Sequence, residues 1–259
     1  MQYKLICDYR ENFESVTNEG YMNDHQDKET FLNILHAIRK SGYECEIMEG
    51  VPSLLQALDT NTHFDDTIFL NLSDGMSQKY SRTQIPVLCE LLQVPYSGGN
   101  VFAVALTSNK HYTKLAVEKL GIHIPQGILI TKQNQPDGLT LKTLRYPLIV
   151  KPNAEGSSVG ITPNSICKTQ TELQTQIDHM LPVYSEVLAE TFIPGYDVTD
   201  FIIGNKGNYY LNEPLIALKK GEVIHGMDVM SYKDYIKRDN WYASPEKYLS
   251  KICLLYTSP

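Results

Sequence analysis

No run of about 18 apolar residues occurs in this chain, so the sequence offers no membrane-spanning helix. The N-terminal MQYKLICDYR also lacks the apolar core of a secretory leader. Both absences lead us to expect a cytoplasmic protein with no membrane partner. Basic residues are in deficit, 23 Lys and Arg against 30 Asp and Glu, for a net charge of −7. With no basic stripe to compensate, nucleic acid is excluded as an expected partner. Cysteine is scarce and scattered: Cys7, Cys45, Cys89, Cys167 and Cys253 are odd in number and form no CxxC pair. That pattern fits buried reduced thiols better than a disulfide framework. The seven histidines show no HExxH spacing, so no metal ligand is assigned. GxxxxGK[ST] is missing too, which removes the P-loop, and Ser157 has neither a GxSxG setting of its own nor His and Asp partners placed by the sequence, which argues against a serine nucleophile there. There is no internal repeat and no low-complexity segment.

What remains is an ordinary globular composition, 42 % hydrophobic and 20 % charged over 259 residues, enough for two or three small domains. Strands are expected at Tyr3–Cys7, Glu44–Met48 and Thr67–Leu72. Between and after them come helices at Lys28–Ser41, Ser53–Leu58 and Gln84–Gln93. In the first of these Phe31, Leu35 and Ile38 share a face and Gly42 follows as a stop. In the last, Ile85, Leu88, Leu91 and Leu92 are expected inward. This β-α-β-α-β-α rhythm implies an α/β fold with a doubly wound parallel sheet ending near Gly98. A second unit follows, with helices at Val101–Leu106 and Asn109–Leu120, strands at Gly127–Thr131, Leu148–Lys151 and Val159–Thr162, and a helix at about Thr171–Leu181. A third opens with a strand at Val187–Ile193 and continues as antiparallel strands at Val198–Ile203 and Tyr209–Leu211. The turn residues Gly204-Asn205-Lys206-Gly207 join that pair.

The most informative stretch is Tyr146 to Ile161, YPLIVKPNAEGSSVGI. An apolar strand ends in Lys151, and Pro152 keeps the chain extended there. Gly156-Ser157-Ser158-Val159-Gly160 can then turn tightly and aim backbone N–H groups at one point. A fixed cation beside a loop of inward amides is what a triphosphate requires. The lysine precedes the glycines, and the loop is expected to lead into a strand, unlike a P-loop.

PLIVKPNAEGSSVGI resembles the central motif of the D-alanine–D-alanine ligase branch of the ATP-grasp superfamily. The likeness extends more weakly from about Phe64 to about Ala217. It implies a pre-ATP-grasp domain at 1–98, a first ATP-grasp subdomain at 99–183 and the start of a second at 184–252, the nucleotide being clamped between the last two. It further implies an ATP-dependent carboxylate–amine ligase that forms an amide or dipeptide bond through an acyl phosphate. Its partners would be ATP and a small amino acid or other carboxylate, and family members are often homodimers.

On the same resemblance, Lys151 and Lys110 (in LTSNKHYTK) would contact the phosphates, with Asn109 standing where the family usually has aspartate. Gly156, Ser157, Ser158 and Val159 would form the phosphate loop, and Lys151 and Ser157 would take the catalytic roles. VLAETFIPGYDVT resembles the family's hinge segment. Glu190 would then face the adenine, the backbone of Thr191 to Ile193 would read the base edge, and Asp197 would accept the ribose hydroxyls.

Three departures stand beside this likeness. CDYRENFESVTNEGY replaces the family's Gly-Gly-x-Ser-x-Glu segment, leaving Glu11, Glu14 and Glu19 as candidates by proximity. Asn71 to Pro86 replaces the His-Gly-x-x-Gly-Glu-Asp-Gly segment; both regions face the amino-acid pocket in the family. Magnesium is expected for the full-length protein, yet its ligands, an aspartate and then Glu-x-Asn, would lie beyond Tyr232–Tyr248. The sequence is therefore expected to be truncated, with 253–259 a non-native tail. The third unit would then show an unpaired edge and apolar face. The alternative function is a nucleotide-binding ATP-grasp pseudoenzyme, or a ligase for a different amino acid. The Met227–Tyr242 stretch, with Tyr232, Lys233 and Tyr235, falls where the ligases carry a closing loop.

Overall fold

The computed structural model describes residues 1–9, 25–76, 80–137, 144–205, 207–226, 229 and 242–244. Glu11, Glu14, Glu19, Tyr232, Lys233, Tyr235 and the 253–259 tail lie outside them.

The first unit is a three-stranded parallel sheet, β1 (Gln2–Cys7), β2 (Cys45–Glu49) and β3 (Thr67–Asn71), in the order β2-β1-β3. Helices cover both faces. On one, α1 (Lys28–Lys40) packs Phe31 and Leu35 against Leu5, Cys7 and Cys45. On the other, α2 (Gly50–Asp59) and α3 (Gln84–Leu92) enclose Leu54, Phe69, Ile85 and Leu88 around Ile6. Asp27 starts α1 by accepting the Thr30 N–H at 2.8 Å, and Gly42 follows the helix with φ +88°. Leu91, expected inward, is 63 % exposed, and Cys89 takes the inward place at 0 %. The helix turns its 85/88/89 stripe to the sheet, and position 91 falls outside that stripe.

In the second unit, α4 (Val101–Thr107) and α5 (Lys110–Glu118) precede an antiparallel sheet of four strands. These are β4 (Gly127–Thr131), β5 (Leu148–Pro152), β6 (Ile166–Cys167) and β7 (Glu186–Thr191), in the order β4-β7-β5-β6. Helix α6 (Gln170–Tyr184) lies on one face, placing Leu173, Ile177 and Met180 against Val150, Val187 and Ala189. Two expectations change here. The strand placed at the head of the third unit is β7, and it sits inside the second unit's sheet, ending at Thr191. And Val159–Thr162 is no strand: it is a turn, followed by a 3-10 turn at Pro163–Ser165. Positive φ at Ser157, Ser158 and Gly160 curls the chain, and the Val159 and Ile161 amides bond back to Gly156 and Ser158 carbonyls. An extended ladder cannot form through such residues.

The remaining strands are β8 (Gly195–Tyr196), β9 (Val198–Asn205), β10 (Asn208–Lys219), β11 (Glu222–Val223), β12 (His225–Gly226) and β13 (Tyr242–Ala243). β9 and β10 form a long antiparallel pair, and β8 pairs with β12. Phe201, Ile203 and Tyr210 are exposed on that long pair. The four described cysteines are buried and unbridged, and burial pushes Cys7 and Cys167 up to about 11 and Cys89 to about 12. Among the described residues, no helix is long and apolar enough to cross a membrane.

Candidate nucleotide site

β5 is built from LIVKP, whose Leu148 and Val150 point into the α6 core at 0 % exposure. Alternation along the strand therefore sends Ile149 and Lys151 to the opposite face. That face is one wall of a cleft of about 320 Å³, which Lys110, Lys151 and the Gly156–Val159 loop all line. The other wall comes from Phe192, Ile193, Tyr196, Asp197 and Ile224.

The loop is held in shape by glycine chemistry. Gly160 has φ +76°, and a Cβ there would lie 2.7 Å from Cγ of Pro152 and 3.0 Å from the Tyr184 hydroxyl. Ser157 (φ 47°) and Ser158 (φ 60°) also adopt left-handed backbone. Successive residues of this kind turn their amides inward as an anion nest. The Val159 amide is not part of that set, because it closes the turn onto the Gly156 carbonyl at 2.8 Å.

Lys110 opens α5, with Asn109 as N-cap accepting the Tyr112 N–H at 3.0 Å and donating to the Tyr80 hydroxyl at 3.0 Å. An aspartate at 109 could cap equally well but could not make that second donation. The Lys110 ammonium reaches over to the Glu155 carbonyl at the loop's mouth. Asn153, fully buried, ties the two elements together. Its carbonyl accepts the Lys110 N–H at 3.1 Å, its Oδ1 accepts the His111 N–H at 3.0 Å, and its Nδ2 donates to Glu186 at 3.0 Å. So an asparagine two residues past Lys151 sets the start of the second lysine's helix.

Not all the expected residues meet at the cleft. Glu190 is 3 % exposed and does not line it; Lys151 pairs with its Oε1 at 2.6 Å and Lys114 with its Oε2. Thr191 is also off the cleft wall, and the N–H groups of Thr191 and Phe192 are donated to the carbonyls of Gln126 and Pro147 at 2.8 and 2.9 Å. Of the hinge segment, Ile193 and Asp197 are the expected residues that line the cleft.

Burial, with repulsion from Lys110, lowers Lys151 to about 8, although Asp197 opposes this. Burial, then Lys151 and Lys110, lowers Lys114 to about 7. Lys114 and Asn153 were not singled out from the sequence. A signal existed for the first, since Lys114 stands four residues from Lys110 on the same helix face.

Residues 116–247 match the family described as the D-ala D-ala ligase C-terminus. The chain belongs to the D-alanine–D-alanine ligase family. Curated relatives agree: it is 30 % identical over 175 residues to a D-alanine–D-alanine ligase of Halalkalibacterium halodurans, covering 67 % of this chain and 54 % of that one. It is 39 % identical over 177 residues to that of Nitrosospira multiformis, covering 66 % and 53 %. The chain spans about half the length of these relatives. The crystal structure of the Bacillus anthracis D-alanine–D-alanine ligase complexed with ATP matches with a TM-score of 0.61 at 18 % identity, over 92 % of this chain and 75 % of that one. The ATP-grasp fold of the family is thereby assigned to this member.

Proposed function

We propose that this chain carries the nucleotide-binding part of an ATP-dependent carboxylate–amine ligase. The supporting observation is the convergence, on one cleft wall, of two lysines from different elements with a left-handed Ser-Ser turn. In this reading Lys110, Lys151 and the amides of Ser157 and Ser158 hold the phosphates. The Ser157 hydroxyl orients the γ-phosphate, Ile193 backbone reads the base edge, and Asp197 accepts the ribose hydroxyls. The two ATP-grasp units divide after Thr191, where β7 leaves the central sheet.

The reaction has two steps. A substrate carboxylate oxygen attacks the γ-phosphorus, the bond to the β-phosphate oxygen breaks, and ADP leaves with the electron pair. The amine of a second substrate then attacks the acyl carbon, loses a proton, and expels inorganic phosphate as the amide forms. Bringing a carboxylate to a triphosphate sets anion against anion, so most of the protein's work is charge neutralisation by the lysines and loop amides. The family resemblance implies magnesium. Among the described residues no three His, Cys, Asp or Glu side chains converge on a metal position, so they do not fit that ion and no step is routed through it.

Calorimetric titration of ATP into wild type and Lys151→Ala, with an ADP-release assay over amino-acid pairs that include D-alanine, tests this. Loss of most ATP affinity in the variant and amino-acid-dependent ADP release are expected. Unchanged binding by Lys151→Ala sinks the phosphate assignment. Turnover with other pairs but not D-alanine keeps the ligase and changes its substrate.

A further inference from the structure

Behind the cleft lies a charge arrangement that phosphate binding alone does not require. Glu190 is almost fully buried on β7, and its two oxygens face two different lysines: Lys151 of β5 at 2.6 Å and Lys114 of α5. Lys151 lines the cleft while Lys114 does not. The lysine that the nucleotide reading needs is therefore held by a carboxylate set back from the cleft. Turning it toward a phosphate would strand that carboxylate in the interior, which is strongly unfavourable unless another cation stays with it.

We propose that Lys114 is a positioning residue, the standing counter-ion of Glu190 that lets Lys151 leave the carboxylate and engage the triphosphate. This inference rests on the nucleotide reading above. The charged groups around the exchange are Lys110 from the start of α5, Lys151 from β5, Glu190 from β7, Glu155 at the mouth of the loop and Asp197 across the cleft. Lys110 is not placed to take that part, because its ammonium lies on the loop side, at the Glu155 carbonyl, where this reading puts the phosphates. Burial, then Lys151 and Lys110, lower Lys114 to about 7, so its charge depends on where those two ammonium groups lie. As Lys151 swings away, repulsion on Lys114 falls while the attraction of Glu190 is undivided, so Lys114 gains its proton as it is needed.

The test is ATP affinity by calorimetry for the full chain and for K114M, K114R and K114M/E190Q, from pH 7 to 9. K114M is expected to weaken ATP binding by at least about tenfold, since Glu190 then keeps Lys151. The double variant is expected to recover most of that loss, because no carboxylate remains to hold Lys151. K114R, charged at every pH, is expected to bind like wild type at pH 7 and to lose affinity less steeply toward pH 9. If K114M fails to fold, the K114R pH profile alone decides: a profile identical to wild type overturns the proposal. A K114M loss that E190Q does not relieve overturns it too, since Lys114 would then act as packing or as direct charge. A wild-type chain that binds no ATP overturns the nucleotide reading, and this inference with it.

Discussion

The backbone carbonyl of Asn153 accepts the N–H of Lys110 at 3.1 Å, so the residue that follows the strand carrying Lys151 sets the start of the helix that Lys110 opens. The first N–H groups of a helix have no partner within it, and here Asn153 supplies acceptors for two of them from another element. Asn153→Ala removes the Oδ1 acceptor from the His111 N–H and the Nδ2 donor from Glu186. With Asn153 buried and its two partners half-buried, a loss of about 1–3 kcal/mol of stability is expected, read by thermal or denaturant unfolding. Asn153→Asp keeps the acceptor for His111 but sets a carboxylate against Glu186. It should destabilise as well, and more at pH 8 than at pH 5, where the two acids can share a proton.

Gly160→Ala is expected to damage the Gly156–Gly160 loop more than its single methyl suggests. The position has φ +76°, and the new Cβ would fall 2.7 Å from Pro152, so left-handed strain and a clash with a rigid ring add. A destabilisation of about 1–3 kcal/mol follows from such a backbone cost, together with weaker ATP binding. A variant that melts and binds like wild type would show that the loop does not need this turn.

Much of this was legible in the residues, and the failures have physical causes. The apolar residues of β1 and β5, the Gly42 stop and the 3.6-residue stripe of α1 are local signals, and the elements they imply are present. The Gly/Ser loop was legible as a loop. Its exit was not, because Val159 and Ile161 carry strand propensity while their amides are taken by turn bonds. Leu91 misled because an apolar residue one step off a helix stripe looks inward in sequence alone. The pairing of β7 between β4 and β5 is a contact between distant segments, which no local pattern encodes. Glu190 showed the same limit at the site. Its place in the hinge motif was legible, but the lysines that hold its carboxylate away from the cleft lie on α5 and β5.

The depressed lysines make a prediction about protons. Burial first, then repulsion from Lys151 and Lys110, brings Lys114 to about 7, and burial, then Lys110, brings Lys151 to about 8, against an ordinary value of about 10.4 in an unfolded chain. Between about pH 7 and pH 10 the unfolded state therefore binds more protons than the folded one, so the contribution of these groups to stability rises with pH across that window. Below about pH 7 both states hold the protons, and the full cost of confining like charges is present. Lys114→Met and Lys151→Met should flatten the rise. A bound triphosphate reverses the balance, since its negative charge favours the ammonium form. ATP binding at pH 8 should thus take up about one proton, and affinity should fall above that pH as deprotonation competes. Calorimetry in buffers of different ionisation enthalpy reads the proton count directly: the observed enthalpy should increase with the buffer's ionisation enthalpy. A dependence with no slope would mean that the lysines are already charged before the nucleotide arrives, and that Glu190 outweighs their burial.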